Sequence, residues 1–211
     1  MIKMRLNLRK VATIAICLVS SATMFAQSNT TDEGVVINGV KWATRNVDAP
    51  GTFAEKPESA GKFYQWNRKK AWNATGTVVN WDNSRPTGMK WTKTNDPCPA
   101  GWRVPTIDEI KTLLDINKVS SQWMILNGVN GRKFTDKDTG YSIFLPAVGE
   151  RDFSRDGALR DEGLHGNYWS RNPNELVDEL AYSLDCDRNF ADTHSSFYRE
   201  GLSVRPVAEK K

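Results

Sequence analysis

The stretch Asp96-Pro97-Cys98-Pro99-Ala100-Gly101-Trp102-Arg103-Val104-Pro105-Thr106-Ile107-Asp108-Glu109 constrains the fold of this chain more than any other. Its prolines fix φ and remove amide donors, so the segment cannot cross a sheet interior or continue a helix. It ends instead on a helix start. Thr106 followed by Glu109 is a capping box: the threonine oxygen accepts from the amide three residues on, and the glutamate reaches back. Ile107, Ile110, Leu113 and Leu114 then share one apolar face, which predicts a helix over 106–117. A loop this stiff is a scaffold part, and its residue types are wrong for catalysis.

Residues 1–26 read as a secretory signal. Lys3, Arg5, Arg9 and Lys10 precede an apolar run over 11–25, with Ala26 as the cleavage residue. The run is short of the roughly 20 residues of a membrane span. Ile16 before Cys17 is a poor fit to lipoprotein processing, so an ordinary export signal is preferred, with no membrane insertion after its removal. The full chain has 29 Lys+Arg against 25 Asp+Glu. Four of the basic residues and none of the acidic ones lie before Gln27, which leaves 25 of each in the mature chain. No net field remains to draw in a phosphate backbone, and nucleic acid is not an expected partner.

Cys98 and Cys186 remain after export, an even count that predicts one disulfide. It would close a loop of about 90 residues and contribute about 4 kcal/mol in the chain-entropy picture. The eight tryptophans read chiefly as core anchors. Trp72 and Trp81, flanking a Thr/Asn/Gly-rich stretch, are the pair expected at the surface, where they could stack on sugar.

Residues 27–34 read as a flexible leader and 35–208 as one domain. Asn38-Gly39 between two apolar triplets predicts a hairpin. Residues 48–61 and 73–94 read as loops. Strands are expected at 131–134 and 141–145 across Asp138-Thr139-Gly140, at 153–155 and 158–160 across Asp156-Gly157, and at 168–170, 181–185 and 202–207. The result is an α+β domain of short, mostly antiparallel strands, one or two helices and long loops.

The run CPAGWRVPT with a helix after it resembles the signature of the Fibrobacter succinogenes major paralogous (FISUMP) domain, a secreted bacterial module related to C-type-lectin-like folds. Residues 37–47, 61–66, 144–149, 166–170 and 201–207 resemble its other blocks, in order. The resemblance implies a C-type-lectin-like α+β fold in which first and last strands pair, placing 35–40 against 202–207. It implies an extracellular or cell-surface location, and says little of function, since such folds carry many activities.

No nucleophile elbow, zinc-protease helix or phosphate-cradling loop is present, and His165 and His194 are the only histidines. Formylglycine-generating enzymes share the broader fold but work with cysteines near the C-terminal end. Here Pro206 stands in that block and Cys186 is alone, so the chain reads as noncatalytic. Calcium is the one candidate cofactor, through Asn172-Pro173-Asn174-Glu175 or Asp185-Cys186-Asp187-Arg188-Asn189. Both depart from ligand motifs: Phe190 stands where an EF-hand loop needs Gly, and Ser196 where it needs Glu. Residues 185–199 mix rigid aromatics with adaptable polar groups, the composition of a binding loop. The candidate ligand-binding residues are Asp187, Arg188, Asn189, Phe190, Asp192, His194, Phe197 and Tyr198. The expected function is noncatalytic recognition of a surface protein or glycan. A fimbria-associated or surface-assembly role, a calcium-dependent lectin and a cysteine-dependent enzyme are the alternatives.

Overall fold

The computed structural model describes residues 29–86, 88 and 90–210; the expected export signal, Cys17 and the first leader residues lie outside them. Strands β1 (Val35–Ile37) and β2 (Val40–Trp42) turn on Asn38-Gly39, both at positive φ (44° and 78°). This is the primed turn that the Asn-Gly pair favours. Strands β3 (Lys62–Gln65) and β4 (Ala71–Asn73) follow, and β5 (Trp102–Arg103) leaves the proline loop. Asp96 stiffens that loop by accepting from the Cys98 and Val104 amides at 3.0 and 3.2 Å.

The capping box forms as expected. Thr106 Oγ1 accepts from the Glu109 amide at 3.2 Å, and Glu109 Oε2 accepts from the Thr106 amide at 2.9 Å. Arg103 donates to both Glu109 oxygens at 2.8 and 2.6 Å, fixing the glutamate from outside. Helix α1 (Ile107–Leu114) buries Ile107, Ile110 and Leu113. It stops three residues short of the expected end because the Asp115 carbonyl takes the Lys118 and Val119 amides and turns the chain into a strand.

That strand, β6 (Val119–Leu126), was not expected as an element. It pairs in continuous register with β7 (Val129–Asp136), which also pairs with β8 (Ser142–Pro146). Next come β9 (Glu150–Asp152) and β10 (Ala158–Arg160). Their hairpin corrects the expected pairing of 153–155. Asp152 Oδ1 captures the Ser154 amide and hydroxyl at 2.8 and 2.7 Å, curling Phe153–Arg155 into a 3-10 turn. Strands β11 (Gly166–Pro173), β12 (Leu180–Cys186) and β13 (Ala191–Phe197) form a three-stranded meander. The chain closes through β14 (Gly201–Leu202) and β15 (Val207–Ala208).

The sheets run β1-β2-β15-β5, β10-β9-β14-β3-β4, β11-β12-β13 and β6-β7-β8, with every named strand pair antiparallel. The protein is thus a small, mostly antiparallel α+β fold. The expected continuous strand over 202–207 divides in two. Leu202 pairs with Tyr64 of β3, while Val207 pairs with Trp42 of β2, so the last segment meets the first hairpin only at that end. Pro206, which lacks an amide, contributes only its carbonyl, to Ala43.

Three apolar clusters fill the interior. The first packs α1 residues against Phe134, Leu145, Tyr168, Leu184 and Cys186. In the second, Trp66 stacks on Tyr198 with ring centroids 4.4 Å apart, worth about 1 kcal/mol beyond area burial. The third holds Trp72 and Trp81, 5% and 7% exposed and 4.5 Å apart, which corrects the expectation that they face solvent. Gly201 makes room for this pair: a Cβ there would stand 2.8 Å from the Trp81 ring.

The leader is tied down where it is described. Asp32 accepts from the Gly34 amide (2.8 Å), the Thr44 hydroxyl (2.8 Å) and Arg45 Nε (3.1 Å), so this segment packs as part of the domain. Among the described residues no helix is long and apolar enough to cross a membrane.

The expected Cys98–Cys186 disulfide is not formed; both thiols are free. They belong to different clusters, Cys98 against the second and Cys186 inside the first, where its thiol donates to the Gly166 carbonyl at 3.4 Å. Burial pushes both thiols up, Cys186 to about 12 and Cys98 further aided by Asp96. Alkylation of the mature, unreduced protein should leave Cys186 unmodified in the native state and label both cysteines after unfolding. A crosslinked Cys98–Cys186 peptide would contradict this.

Candidate functional site

The segment read as a loop over 185–199 is mostly a hairpin. Strand β13 pairs with β12 from Leu180↔Phe197 to Cys186↔Ala191 without a break. Its polar residues conceal a period-two pattern: Ala191 packs toward the first cluster, while Asp192 and His194 alternate out to solvent.

Residues 187–190 form the tip. Asp187 Oδ1 accepts from the Asn189 and Phe190 amides at 2.6 and 2.8 Å, closing a side-chain-mimicked turn. From beneath, buried Arg132 of β7 donates to the Asp187 and Phe190 carbonyls at 2.8 and 3.0 Å. The tip is therefore held on both sides, and it offers Arg188, Asn189 and Phe190 to solvent.

Beside the tip lies a cleft of about 430 Å³, lined by Trp123, Met124, Ile125, Asn130, Leu164 and Arg188. Ile125 and Leu164 are 64% and 62% exposed, and Phe190 is 45% exposed. On the opposite face of β6 is a second hollow of about 320 Å³, against Thr44, Pro57, Met124, Leu126, Lys133 and Phe144. Trp123, half-buried like Trp102, is more accessible than Trp72 and Trp81, the pair expected at the surface.

The remaining candidates disperse. Phe197 leans on Phe153 (5.1 Å between centroids), and the Arg199 guanidinium lies over that ring at 4.4 Å. Tyr198 is 1% exposed and stacked in the core, which removes it from the ligand-binding set. A basic cleft of about 450 Å³ between Arg68, Lys69, Lys70 and Arg85 is neutralised in part, since Arg68 pairs with Asp82 and Arg85 with Asp178.

Several oxygens of the candidate calcium segments accept hydrogen bonds within the protein. Asp187 Oδ1 accepts from the tip amides, and Asp185 Oδ1 is 3.1 Å from His165 Nδ1. Asn172 Oδ1 accepts from the Ile107 amide, and Asn174 Oδ1 from Leu176 and Val177. Among the described residues no group of three or more His, Cys, Asp or Glu is placed to hold a metal.

Comparison with known proteins finds no matching family model, no matching curated protein and no matching solved structure.

The Glu200 carboxyl is held far above the usual carboxylate range. Burial, then Glu150 and Asp152, push Glu200 up to about 8, with Arg160 opposing. A raised carboxyl favours the folded state while protonated. Its contribution is full below the unfolded value near 4.5 and is lost as pH rises toward 8. His165 adds in the same direction: desolvation opposes its charge, but the Asp185 bond and neighbouring carboxylates raise it overall. The melting temperature should accordingly fall between pH 5 and pH 8, with a shallower slope in Glu200→Gln. An unchanged slope in that variant would contradict the assignment.

Proposed function

We propose that the chain is an exported, noncatalytic binding module with a C-type-lectin-like α+β fold of the Fibrobacter succinogenes major paralogous domain family. It acts at the cell surface or outside it. It recognises a surface protein or glycan through the tip at 187–190 and the adjoining Trp123 cleft.

The observation that carries this reading is the way Arg132 fixes the tip. A buried guanidinium is spent on holding two carbonyls of an exposed turn, so the backbone that carries Arg188 and Phe190 is preorganised, with Arg188 lining the cleft that Trp123 also lines. Preorganisation lowers the ordering cost of binding, and Trp and Arg are over-represented among residues that carry interface energy. Five sequence blocks in family order and the Val207–Trp42 closure support the fold assignment. Burial holds both thiols up, which is unfavourable for nucleophilic chemistry and supports a noncatalytic reading.

Mature protein should bind a subset of arrayed glycans or immobilised bacterial and host surface proteins. Arg188→Ala/Phe190→Ala should weaken that binding by about tenfold or more at unchanged melting temperature. Leu176→Ala, a 90% exposed control away from the tip, should not. Binding that survives the double variant unaltered would contradict the assignment.

A further inference from the structure

Strand β6 is the edge of its sheet, with β7 on one side only. It runs for eight residues, Val-Ser-Ser-Gln-Trp-Met-Ile-Leu, in unbroken register. Edges of this length are ordinarily protected by Lys, Pro, inward charges or a bulge. This one has none of them.

The turn sets which backbone groups are free. Asn127-Gly128, both at positive φ (48° and 86°), close a two-residue hairpin, so Leu126 and Val129 exchange hydrogen bonds. By alternation Met124, Gln122 and Ser120 also direct their amides and carbonyls to β7. Ser121, Trp123 and Ile125 direct theirs outward. The Val119 amide, on the same outward parity, is taken by the Asp115 carbonyl, as this assignment requires.

We propose that β6 is the seam of a two-fold dimer, in which the β6 strand of a second copy adds antiparallel through Ser121, Trp123 and Ile125. One register uses every free group. Trp123 faces Trp123 of the second copy, Ser121 faces Ile125, and about six hydrogen bonds join two three-stranded sheets into one of six strands. The two-fold axis sets Trp123, alone among the residues of the strand, opposite its own copy, so a charge there would oppose itself. No residue of β6 is charged, and Lys118, just before it, would face Gly128. The hollows on the two faces of β6 then lie along the seam, as strand addition uses pockets for alternate side chains. This dimer goes beyond the partner-binding reading: the two share Trp123, but the seam is made by backbone groups of β6 and read out by mass and amide exchange, so either can fail without the other.

Sedimentation of the mature protein should show a mass that doubles with concentration. Amide exchange at high concentration should slow at Ser121, Trp123 and Ile125 and stay unchanged at Gln122 and Met124. Ser121→Lys/Ile125→Lys and Ser121→Asp/Ile125→Asp should each be monomeric, and mixing them should restore a dimer, since each Lys then faces an Asp. A monomer at every concentration, or a dimer that survives the Lys pair, would overturn the proposal. So would exchange protection that does not alternate, or a stable monomer that protects these amides only on adding a foreign strand.

Discussion

The guanidinium of Arg205, 1% exposed, joins three parts of the chain that are remote in sequence. It donates to Asn46 Oδ1 at 2.9 Å, to the Ala43 carbonyl at 3.2 Å and to the Phe144 carbonyl at 3.1 Å. It thereby fastens the C-terminal segment to the stretch after the first hairpin and to β8. Burial pulls its pKa down to about 10, still far above neutrality, so the cation persists and must be satisfied by dipoles. Strands of two to four residues contribute few backbone pairs. Loop carbonyls away from water must find donors elsewhere. Arg151, equally buried, supplies them to Asn73, Thr75 and Gly157, as Arg132 does for the hairpin tip. Buried arginines are the common device of this fold.

Local chemistry was legible in the sequence. Asn38-Gly39, Thr106 with Glu109, and Asp138-Thr139-Gly140 each act within a few residues, and each forms the element it predicts. Long-range placement was not legible. Two cysteines do not reveal that they belong to different clusters, and a Thr/Asn/Gly-rich surrounding does not reveal that Trp81 folds back over Trp72. Strand β13 was hidden because Asp192, His194 and two serines look like loop residues, although an edge strand facing water tolerates them. The eight binding candidates fared accordingly. Four gather at the tip, Asp192 and His194 share the exposed face of β13, Phe197 sits apart, and Tyr198 is core.

A consistent division of labour results. The proline loop and α1 support one face of the β11-β12-β13 meander, and the arginines hold the loops that the short strands cannot. Around β6 and the tip, half-buried Trp123 and exposed Ile125, Leu164, Arg188 and Phe190 reach the surface. Apolar area and one cation stand there on a backbone that Arg132 fixes from beneath.

The most direct test of the buried-arginine account is urea unfolding of Arg205→Met against the parent chain. Methionine fills similar volume but donates nothing, leaving the Ala43, Asn46 and Phe144 acceptors unpaired. The account predicts a loss of about 3 kcal/mol or more at neutral pH. Unchanged or raised stability would mean that burying the cation costs as much as its three bonds return, and would contradict it.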